Sequence, residues 1–354
     1  MKTLEIALIV IGTLSIFATM LPLIRTDVWW VRVFDFPRIQ ITTATVITLT
    51  AYSYVTAAGS SFALLFIIGL GLCFLRQCYM IYPYTILASK QVQNSERDNS
   101  DASCRLMFAN VLMTNRDSER LRRIIREQNP DVILTVETDA WWQEQLKEFE
   151  VTHPHKVHCP LENTYGMLLY SQLELVRPEI KFIVEDDIPS IHALMKLPNG
   201  KEVEIHCMHP RPPFPTEAMQ STERDAELLI VGRSIKKTDV PVIVMGDLND
   251  VAWSRTNYLF QDISGLLDPR IGRGFFNTFH AQYPIIRFPL DHFFHSNHFR
   301  LIELKRLSRF GSDHFPVLIA LSYEPDATTE QAELQPDAEQ VEEVEEKIEN
   351  AVSR

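Results

Sequence analysis

The chain has 354 residues and a formal net charge of −12 at pH 7. This length allows one large domain with a smaller segment beside it, and the five cysteines show no spacing typical of a disulfide framework or a zinc site. Residues 324–354 hold eleven acidic and two basic side chains, hence −9 of the −12, so the rest of the chain carries only −3. A mildly acidic domain argues against nonspecific binding to nucleic acid, which depends on basic side chains.

Three apolar segments lie within residues 1–88, at 3–24, 39–58 and 61–82. A helix needs about 20 apolar residues to cross a bilayer, so we predict a lipid-embedded region with two to three transmembrane helices. A cleaved signal peptide is the alternative for the first segment, but soluble sequence should then follow it.

Basic residues give an orientation only if there are three spans. Arg25, Arg32 and Arg38 then lie on the side of the C-terminal domain. The positive-inside rule makes that side cytoplasmic. With two spans the argument fails.

Residues 89–103 are rich in Asn, Ser, Asp and Gln and predict a linker. Between 104 and 323 the chain alternates between strand-like and helix-like patterns, with helices predicted at 117–128, 140–149 and 216–237. Strands are predicted at 105–113, 131–136, 166–170, 179–184, 191–197, 202–207, 240–245, 289–295, 300–307 and 317–321.

The turn Pro198-Asn199-Gly200 predicts an antiparallel hairpin. Mixed strands with few helices are typical of an α+β sandwich in which helices flank two sheets. The acidic residues 324–354 predict a disordered tail or a solvated helix.

Polar side chains of chemical interest lie at the ends of these strands. Asp247 and Asn249 follow the buried strand 240–245, and Gly246 permits a close approach of the backbone. Asp313 and His314 precede the last strand, and an imidazole held by a carboxylate is what a general base or a phosphate ligand requires. The remaining candidates are single residues: Asn110, Glu137, His209 and Asp291.

A carboxylate at the end of a buried strand needs a partner or a cation. Mg²⁺, which prefers carboxylate oxygens and retains water ligands, would satisfy Glu137, with Mn²⁺ as the alternative. Taken together, the strand-end groups predict metal-assisted attack of water on a phosphate ester.

The chain resembles the endonuclease/exonuclease/phosphatase superfamily through motifs in one order: Asn110, Glu137, residues 164–171, His209, 246–249, Asp291-His292 and 312–314. The resemblance covers about residues 104–322, and the motifs at 246–249 and 312–314 are its most specific part. It implies a deoxyribonuclease I-like, four-layered α/β/β/α sandwich. With the apolar N-terminus, it is closest to multi-pass members of the bacterial inner membrane.

The resemblance also implies roles by position. Asn110, Glu137 and Asp313 would form the metal site. Asp247 would position or deprotonate the attacking water, and Asn249 would hold a phosphate oxygen.

Further side chains would act on the substrate itself. His314, oriented by Asp291, would serve as general base or phosphate ligand. His209 would stabilise the transition state, and Tyr165 and Arg211 would contact the substrate.

Two departures from the family pattern are visible. Val136 stands where a glutamine usually precedes the metal-binding glutamate. Family nucleases have an acid that orients the residue equivalent to His209; here His192 is the candidate substitute. Trp141 and Trp142 either line the mouth of the site or pack as a helix pair.

The sequence therefore predicts a membrane-anchored, Mg²⁺-dependent phosphoesterase that hydrolyses phosphodiester or phosphomonoester bonds. Nucleic acid, a lipid headgroup and a soluble phosphoester all remain open as substrates, and no protein partner can be inferred. The alternative is a non-catalytic membrane scaffold that retains the fold. It predicts loss of at least one of the key residues.

Overall fold

The computed structural model describes residues 2–56, 60–97 and 100–353. Residues 1, 57–59, 98–99 and 354, which fall in the predicted membrane region, linker and tail, lie outside these ranges. The helices of the described chain are α1 (Lys2–Met20), α2 (Trp29–Arg32), α3 (Arg38–Val55), α4 (Ser61–Ile81), α5 (Ser118–Gln128), α6 (Ala140–Leu146), α7 (Thr222–Ile235), α8 (Arg255–Ser264) and α9 (Ala338–Val352).

The strands form two mixed sheets. Six strands, in the order β10-β11-β1-β2-β4-β3, make the first sheet, and five, in the order β5-β6-β7-β8-β9, make the second. Their bounds are β1 (Ser103–Asn110), β2 (Val132–Val136), β3 (His155–Cys159), β4 (Met167–Ser171), β5 (Glu174–Lys181), β6 (Ser190–Lys196), β7 (Glu202–Met208), β8 (Val242–Asp247), β9 (Asp291–His295), β10 (Phe299–Arg306) and β11 (Val317–Tyr323).

Each sheet contains one parallel pair of strands, and its other pairs are antiparallel. β1 is parallel to β2 in the first sheet, and β7 is parallel to β8 in the second. The predicted hairpin is confirmed, because β6 and β7 are antiparallel and Gly200 takes the positive φ that the turn requires.

Apolar side chains divide among three layers of core, which confirms the four-layered α/β/β/α sandwich. The central layer lies between the sheets and includes Phe108, Leu134 and Ile205. α5 and α6 cover the outer face of the first sheet, where Trp142 is fully buried. α7, α8 and α9 cover the outer face of the second sheet.

The N-terminal helices α1, α3 and α4 pack together around a small core that contains Tyr52, Phe66 and Leu70. Within the described residues, two helices are apolar and long enough to cross a membrane, Lys2–Leu23 and Ser61–Tyr84. The helix α3 is less apolar than these two and is not among the helices that could cross a membrane by length and mean hydropathy.

Residues 21–37 join α1 to α3 and contact the sandwich directly. Arg32 Nη2 lies 3.6 Å from Asp250 Oδ2, and Trp253 Nε1 donates to the Asp35 carbonyl at 2.7 Å. The predicted linker also lies against the sandwich. Val92 is fully buried, and Asn94 forms a bridge with Leu301 of β10.

Of the two alternatives predicted for the acidic residues, a disordered tail or a solvated helix, residues 338–352 follow the helix. They form α9, which begins with a capping box at Asp337 and Gln340. Val344 and Ile348 are buried against α7 and α8. Their spacing of four residues places both on one face of the helix. The acidic composition of the segment gave no sign of this apolar face.

Candidate active site

The strand ends that carry the predicted residues meet at one end of the sandwich. The carboxyl ends of β1, β2, β7 and β8 lie there, together with the amino ends of β9 and β11. Asp247 and Asp291 are direct partners in the ladder of β8 and β9. The two sheets are joined at this point, because Asn110 Nδ2 donates to Asp247 Oδ2 at 3.1 Å.

Glu137 occupies the first position after β2 and adopts a positive φ of 58°. Its Oε1 accepts a hydrogen bond from Asn110 Nδ2 at 2.7 Å. Burial raises the pKa of Glu137 to about 7. In the described parts of the chain Glu137 forms no ion pair with Lys or Arg, so this half-buried carboxylate is available to a cation.

His314 lies between two carboxylates. Its Nδ1 is 3.1 Å from both oxygens of Asp291, and its Nε2 is 3.5 Å from Asp247 Oδ2. Burial alone would lower the pKa of His314, but Asp291 and Asp247 outweigh burial and raise it to about 10. The imidazolium form therefore donates both N–H groups, one to Asp291 and one toward the site.

His209 follows β7 and is 3% exposed. Burial lowers the pKa of His209 to about 4, so its ring is neutral near neutral pH. Its Nδ1 has no hydrogen-bond partner among the described residues. The suggestion that His192 orients it is wrong, because His192 Nδ1 lies 2.6 Å from His206 Nδ1 on the outer face of the second sheet.

The loop after β8 holds Asn249 by local contacts. A Cβ at Gly246 would lie 1.8 Å from the Met208 carbonyl oxygen, so only glycine allows β8 to approach β7 so closely. Asp247 Oδ1 accepts from the backbone N–H of Asn249 at 2.9 Å, and the side-chain Nδ2 of Asn249 donates to the Pro210 carbonyl at 3.0 Å. The second hydrogen on Nδ2 of Asn249 therefore remains for a ligand.

The two predicted substrate contacts lie together beside His209. The ring of Tyr165 lies 5.4 Å from the His209 ring, and the Arg211 guanidinium stacks on Tyr165 at 5.1 Å. Three carboxylates surround Arg211: Glu185 at 2.9 Å, Asp187 at 3.0 Å and Glu217 at 3.6 Å. Arg211 is thus neutralised by the protein.

The structure groups the candidate metal ligands differently from the sequence. Asp247, Asp291 and His314 each offer a ligand atom, all within 4.8 Å of one another. Asp313 is half-buried and has Oδ1 3.4 Å from Ser312 Oγ. Asp291 already accepts from His314, so these three side chains are held to one another by hydrogen bonding and by charge.

Sequence reasoning missed two contributors to the site. Ser312 Oγ donates to the Asn110 carbonyl at 2.8 Å and accepts from the His314 amide at 3.0 Å, which ties β1 to β11. Arg224 is 1% exposed and donates from Nη1 to the Asn249 carbonyl at 2.7 Å. The Ser-Asp-His order pointed to Ser312, whereas Arg224 lies in a helix whose charges resemble a solvated face.

The tryptophan pair packs rather than lining the site, since Trp142 is fully buried and Arg116 stacks on Trp141 at 4.7 Å. Of the other arginines, Arg255 pairs with Glu343 and Arg270 with Asp268.

The fold and this cluster place the chain in a class of hydrolases. The model of the Endonuclease/Exonuclease/phosphatase family matches residues 107–314, and the chain belongs to that family, whose members hydrolyse phosphate esters. No curated protein sequence matches the chain.

Solved structures agree on the fold. A humanized TDP2 from D. rerio shares 16% identity over 62% of this chain and 99% of its own, with a TM-score of 0.52. An endonuclease/exonuclease/phosphatase from Bacteroides vulgatus shares 16% identity over 63% and 99%, also at 0.52. One from Beutenbergia cavernae shares 18% over 63% and 72%, at 0.50.

Proposed function

We propose that the chain is a membrane-anchored, Mg²⁺-dependent phosphoesterase. The observation that carries the proposal is the series Glu137, Asn110, Asp247, His314 and Asp291, which is joined by hydrogen bonds and by the ion pair of His314 with Asp247. It connects both sheets at one end of the sandwich. Such a buried series of carboxylates and imidazole is typical of sites that stabilise negative charge on a reacting phosphate.

Glu137 and Asn110 would hold the metal ion, with Asp313 nearby and Mn²⁺ as a substitute for Mg²⁺. Glu137 fits a hard cation because it is a half-buried carboxylate without a cationic side chain on it in the described structure, and its desolvation raises its pKa. When bound, the metal would supply positive charge to a phosphate oxygen.

The remaining side chains would do the work of positioning and proton transfer. Asp247 accepts hydrogen bonds and would orient or deprotonate the attacking water. His314, held by Asp291 at 3.1 Å, would donate its Nε2 proton to a phosphate oxygen. His209 and Asn249 would each offer an N–H group to the negative charge that develops on the phosphate oxygens.

The non-catalytic scaffold is the alternative, and one observation weighs against it. A chain that retained only the fold would have no reason to keep all these groups. The candidate residues are all present, and three of them, Glu137, Asp247 and Asp291, are linked through Asn110 and His314.

The membrane topology favoured by the structure has three spans. The ends of α1 and α4 nearest the sandwich are both C-terminal, because residues 21–37 and Tyr84 contact the sandwich. α3 must then return across the bilayer. Its threonine hydroxyls donate to carbonyls four residues earlier, as Thr45 does to Ile41 at 2.7 Å, which reduces their polarity in lipid.

Three spans place Arg25, Arg32 and Arg38 on the side of the catalytic domain, so we infer a cytoplasmic domain. A bacterial inner membrane remains the proposed location.

The test is hydrolysis of a chromogenic phosphodiester by the full chain in detergent, with and without Mg²⁺. Asp247→Asn keeps the shape of the side chain but removes its charge, and we expect turnover to fall by about a thousandfold or more. The matched control is Asp239→Asn, since Asp239 is exposed just before the opposite end of the same strand. Turnover that survives in Asp247→Asn, or that does not need a divalent metal, would contradict the proposal.

A further inference from the structure

Two loops beside the active site reach the membrane helices. The His209 loop comprises residues 210–221 and begins directly after His209. The Asp291 loop comprises residues 279–290 and ends directly before Asp291. The connector, residues 21–37, runs from the end of α1 to the start of α3, and both loops contact this part of the chain.

The His209 loop pairs with the connector through backbone hydrogen bonds. The Trp29 amide donates to the Met219 carbonyl at 3.1 Å, and the Ser221 amide donates to the Asp27 carbonyl at 2.8 Å. Between them, Val28 and Gln220 form an antiparallel bridge. The loop therefore cannot move away from the end of α1 without breaking this pairing.

The Asp291 loop is joined to the start of α3. Gln40 Nε2 donates to the Ile285 carbonyl at 2.7 Å. A row of rings then leads from the connector to the active site: Phe36 to Phe288 at 5.7 Å, Phe288 to Phe279 at 6.4 Å and Phe279 to His314 at 5.0 Å. Three ring contacts thus separate the catalytic histidine from the membrane segment.

Large apolar side chains on these segments are exposed, from 49% for Trp30 to 78% for Ile285. A soluble surface rarely carries so many on segments that contact one another. They adjoin the ends of helices whose other apolar side chains would face lipid. The set, which we call the apolar rim, is Trp30, Phe214, Met219, Tyr283, Ile285 and Ile286, with Ile86 and Leu87 just after α4.

We propose that the apolar rim lies in the headgroup layer of the bilayer and that the active site takes its phosphate ester from a lipid headgroup. The substrate part of this inference rests on the proposed phosphoesterase function. The rim is continuous with the helix ends, so the helices hold it at the bilayer surface. Aromatic and aliphatic side chains at that depth leave water and contact the boundary between headgroups and acyl chains, which stabilises them there.

The lipid surface suits the rim better than a nucleic acid does. Phosphate backbones are bound by basic side chains, whereas the rim side chains are uncharged. Arg211 beside the site is already paired with Glu185 and Asp187.

The first experiment measures contact with lipid and does not depend on catalysis. The full chain is reconstituted in phosphatidylcholine nanodiscs with an environment-sensitive label on Ile285→Cys or Phe214→Cys, and the unsubstituted chain gives the background from native cysteines. Val151→Cys is the matched control, because Val151 is 87% exposed but lies just before β3, the edge strand of the first sheet. We expect lipid-borne quenchers to act on the two rim labels and aqueous iodide to act on the Val151 label.

The second experiment concerns the substrate. Ile285→Ser combined with Ile286→Ser is compared with Val151→Ser for hydrolysis of phosphatidylcholine in nanodiscs and of a water-soluble diester. We expect the ratio of lipid to soluble turnover to fall about tenfold in the rim variant, since apolar contact with the bilayer is lost. In Val151→Ser the ratio should not change.

The outcomes separate the two proposals. Rim labels quenched only by iodide, or shielded from both quenchers in a dimer, would overturn the lipid-facing rim even if the soluble diester is hydrolysed. Quenching by lipid without hydrolysis of any ester would retain the rim and contradict the phosphoesterase. Hydrolysis of the soluble diester or of single-stranded DNA, but of no lipid, would overturn the lipid substrate.

Discussion

Glu227 lies on α7 with 2% of its surface exposed, and its Oε1 has no hydrogen-bond partner within the described chain. Burial, with a smaller contribution from Glu185, raises the pKa of Glu227 to about 8. The raised pKa means that the folded state holds the proton more tightly than the unfolded state. Its stabilising effect is complete below the ordinary pKa of glutamate and is lost as the pH rises through 8.

Glu227→Gln should therefore be more stable than the wild type at alkaline pH. Glutamine keeps the size of the side chain but cannot ionise, so we expect a gain of about 2–4 kcal/mol near pH 9 and little difference near pH 5. Thermal unfolding of the full chain in detergent at both pH values measures this. The exposed Glu342→Gln on α9 is the control, and equal pH dependence of Glu227→Gln and wild type would contradict the expectation.

At the level of single residues, the sequence predicted groups that follow obvious strands. Asp247 and His314 adjoin continuous apolar runs, so their positions at strand ends could be inferred. Arg224 could not, because its burial depends on Asp225 and Asp250, at 2.7 Å and 3.1 Å, and on packing that brings α7 against the loop after β8. His209 was placed correctly at the strand end, but the absence of a partner on its Nδ1 in the described residues depends on the sheet register.

The helix α9 connects the connector, α7 and α8 through ion pairs. Its Lys347 Nζ lies 2.6 Å from Asp27 of the connector and 3.0 Å from Asp225 of α7. Glu343 accepts from Arg255 of α8 at 2.6 Å. An acidic sequence with a few apolar residues at helical spacing predicts either a solvated or a packed helix. The side chains of opposite charge that hold α9 in its packed position lie far away in the sequence, so the sequence of α9 alone does not distinguish the two.

Ile348→Ala should destabilise the whole domain. Ile348 is 6% exposed among side chains of α7 and α8, so truncation should cost about 2–3 kcal/mol. Val341→Ala on the same helix is the control, because Val341 is 39% exposed. Comparison of unfolding midpoints in detergent gives the answer, and equal midpoints for the two variants would mean that α9 is not part of the cooperative unit.

Other elements show why boundaries are difficult to predict. The helix predicted from residue 216 begins at Thr222, because residues 219–221 bond to the connector instead of continuing the helix. The strand β3 and helix α8 were not predicted. The strand predicted at 179–184 is observed as β5, Glu174–Lys181.

At the scale of the whole molecule, the N-terminal helices and the sandwich form one packed structure. Tyr84, directly after α4, is fully buried and donates its hydroxyl proton to the Ala252 carbonyl at 2.7 Å. Val92 of the predicted linker contributes to the central core. A polar composition at 89–103 predicted separable parts, since composition does not reveal the surface on which a segment lies.

A fragment of residues 92–354 should therefore unfold at a lower temperature than the full chain. It lacks Arg32 and Tyr84, so Asp250 loses one of its two guanidinium partners. Trp253 loses the contact of its ring with the Tyr84 ring. We expect the fragment to bind a hydrophobic dye below its midpoint and to lose at least about 3 kcal/mol. A fragment with the midpoint of the full chain and no dye binding would show that the two parts are independent.

The contact of Arg32 with Asp250, three residues from Asp247, also has a consequence for how such a chain can change over time. An anchor that serves only as a tether can be exchanged for any other apolar helix. Here a replacement anchor must bring a guanidinium to the same place, or the buried carboxylate beside the catalytic loop is left with Arg224 alone. Under the proposed function, the anchor and the hydrolase would therefore be inherited together, as one unit rather than as interchangeable modules.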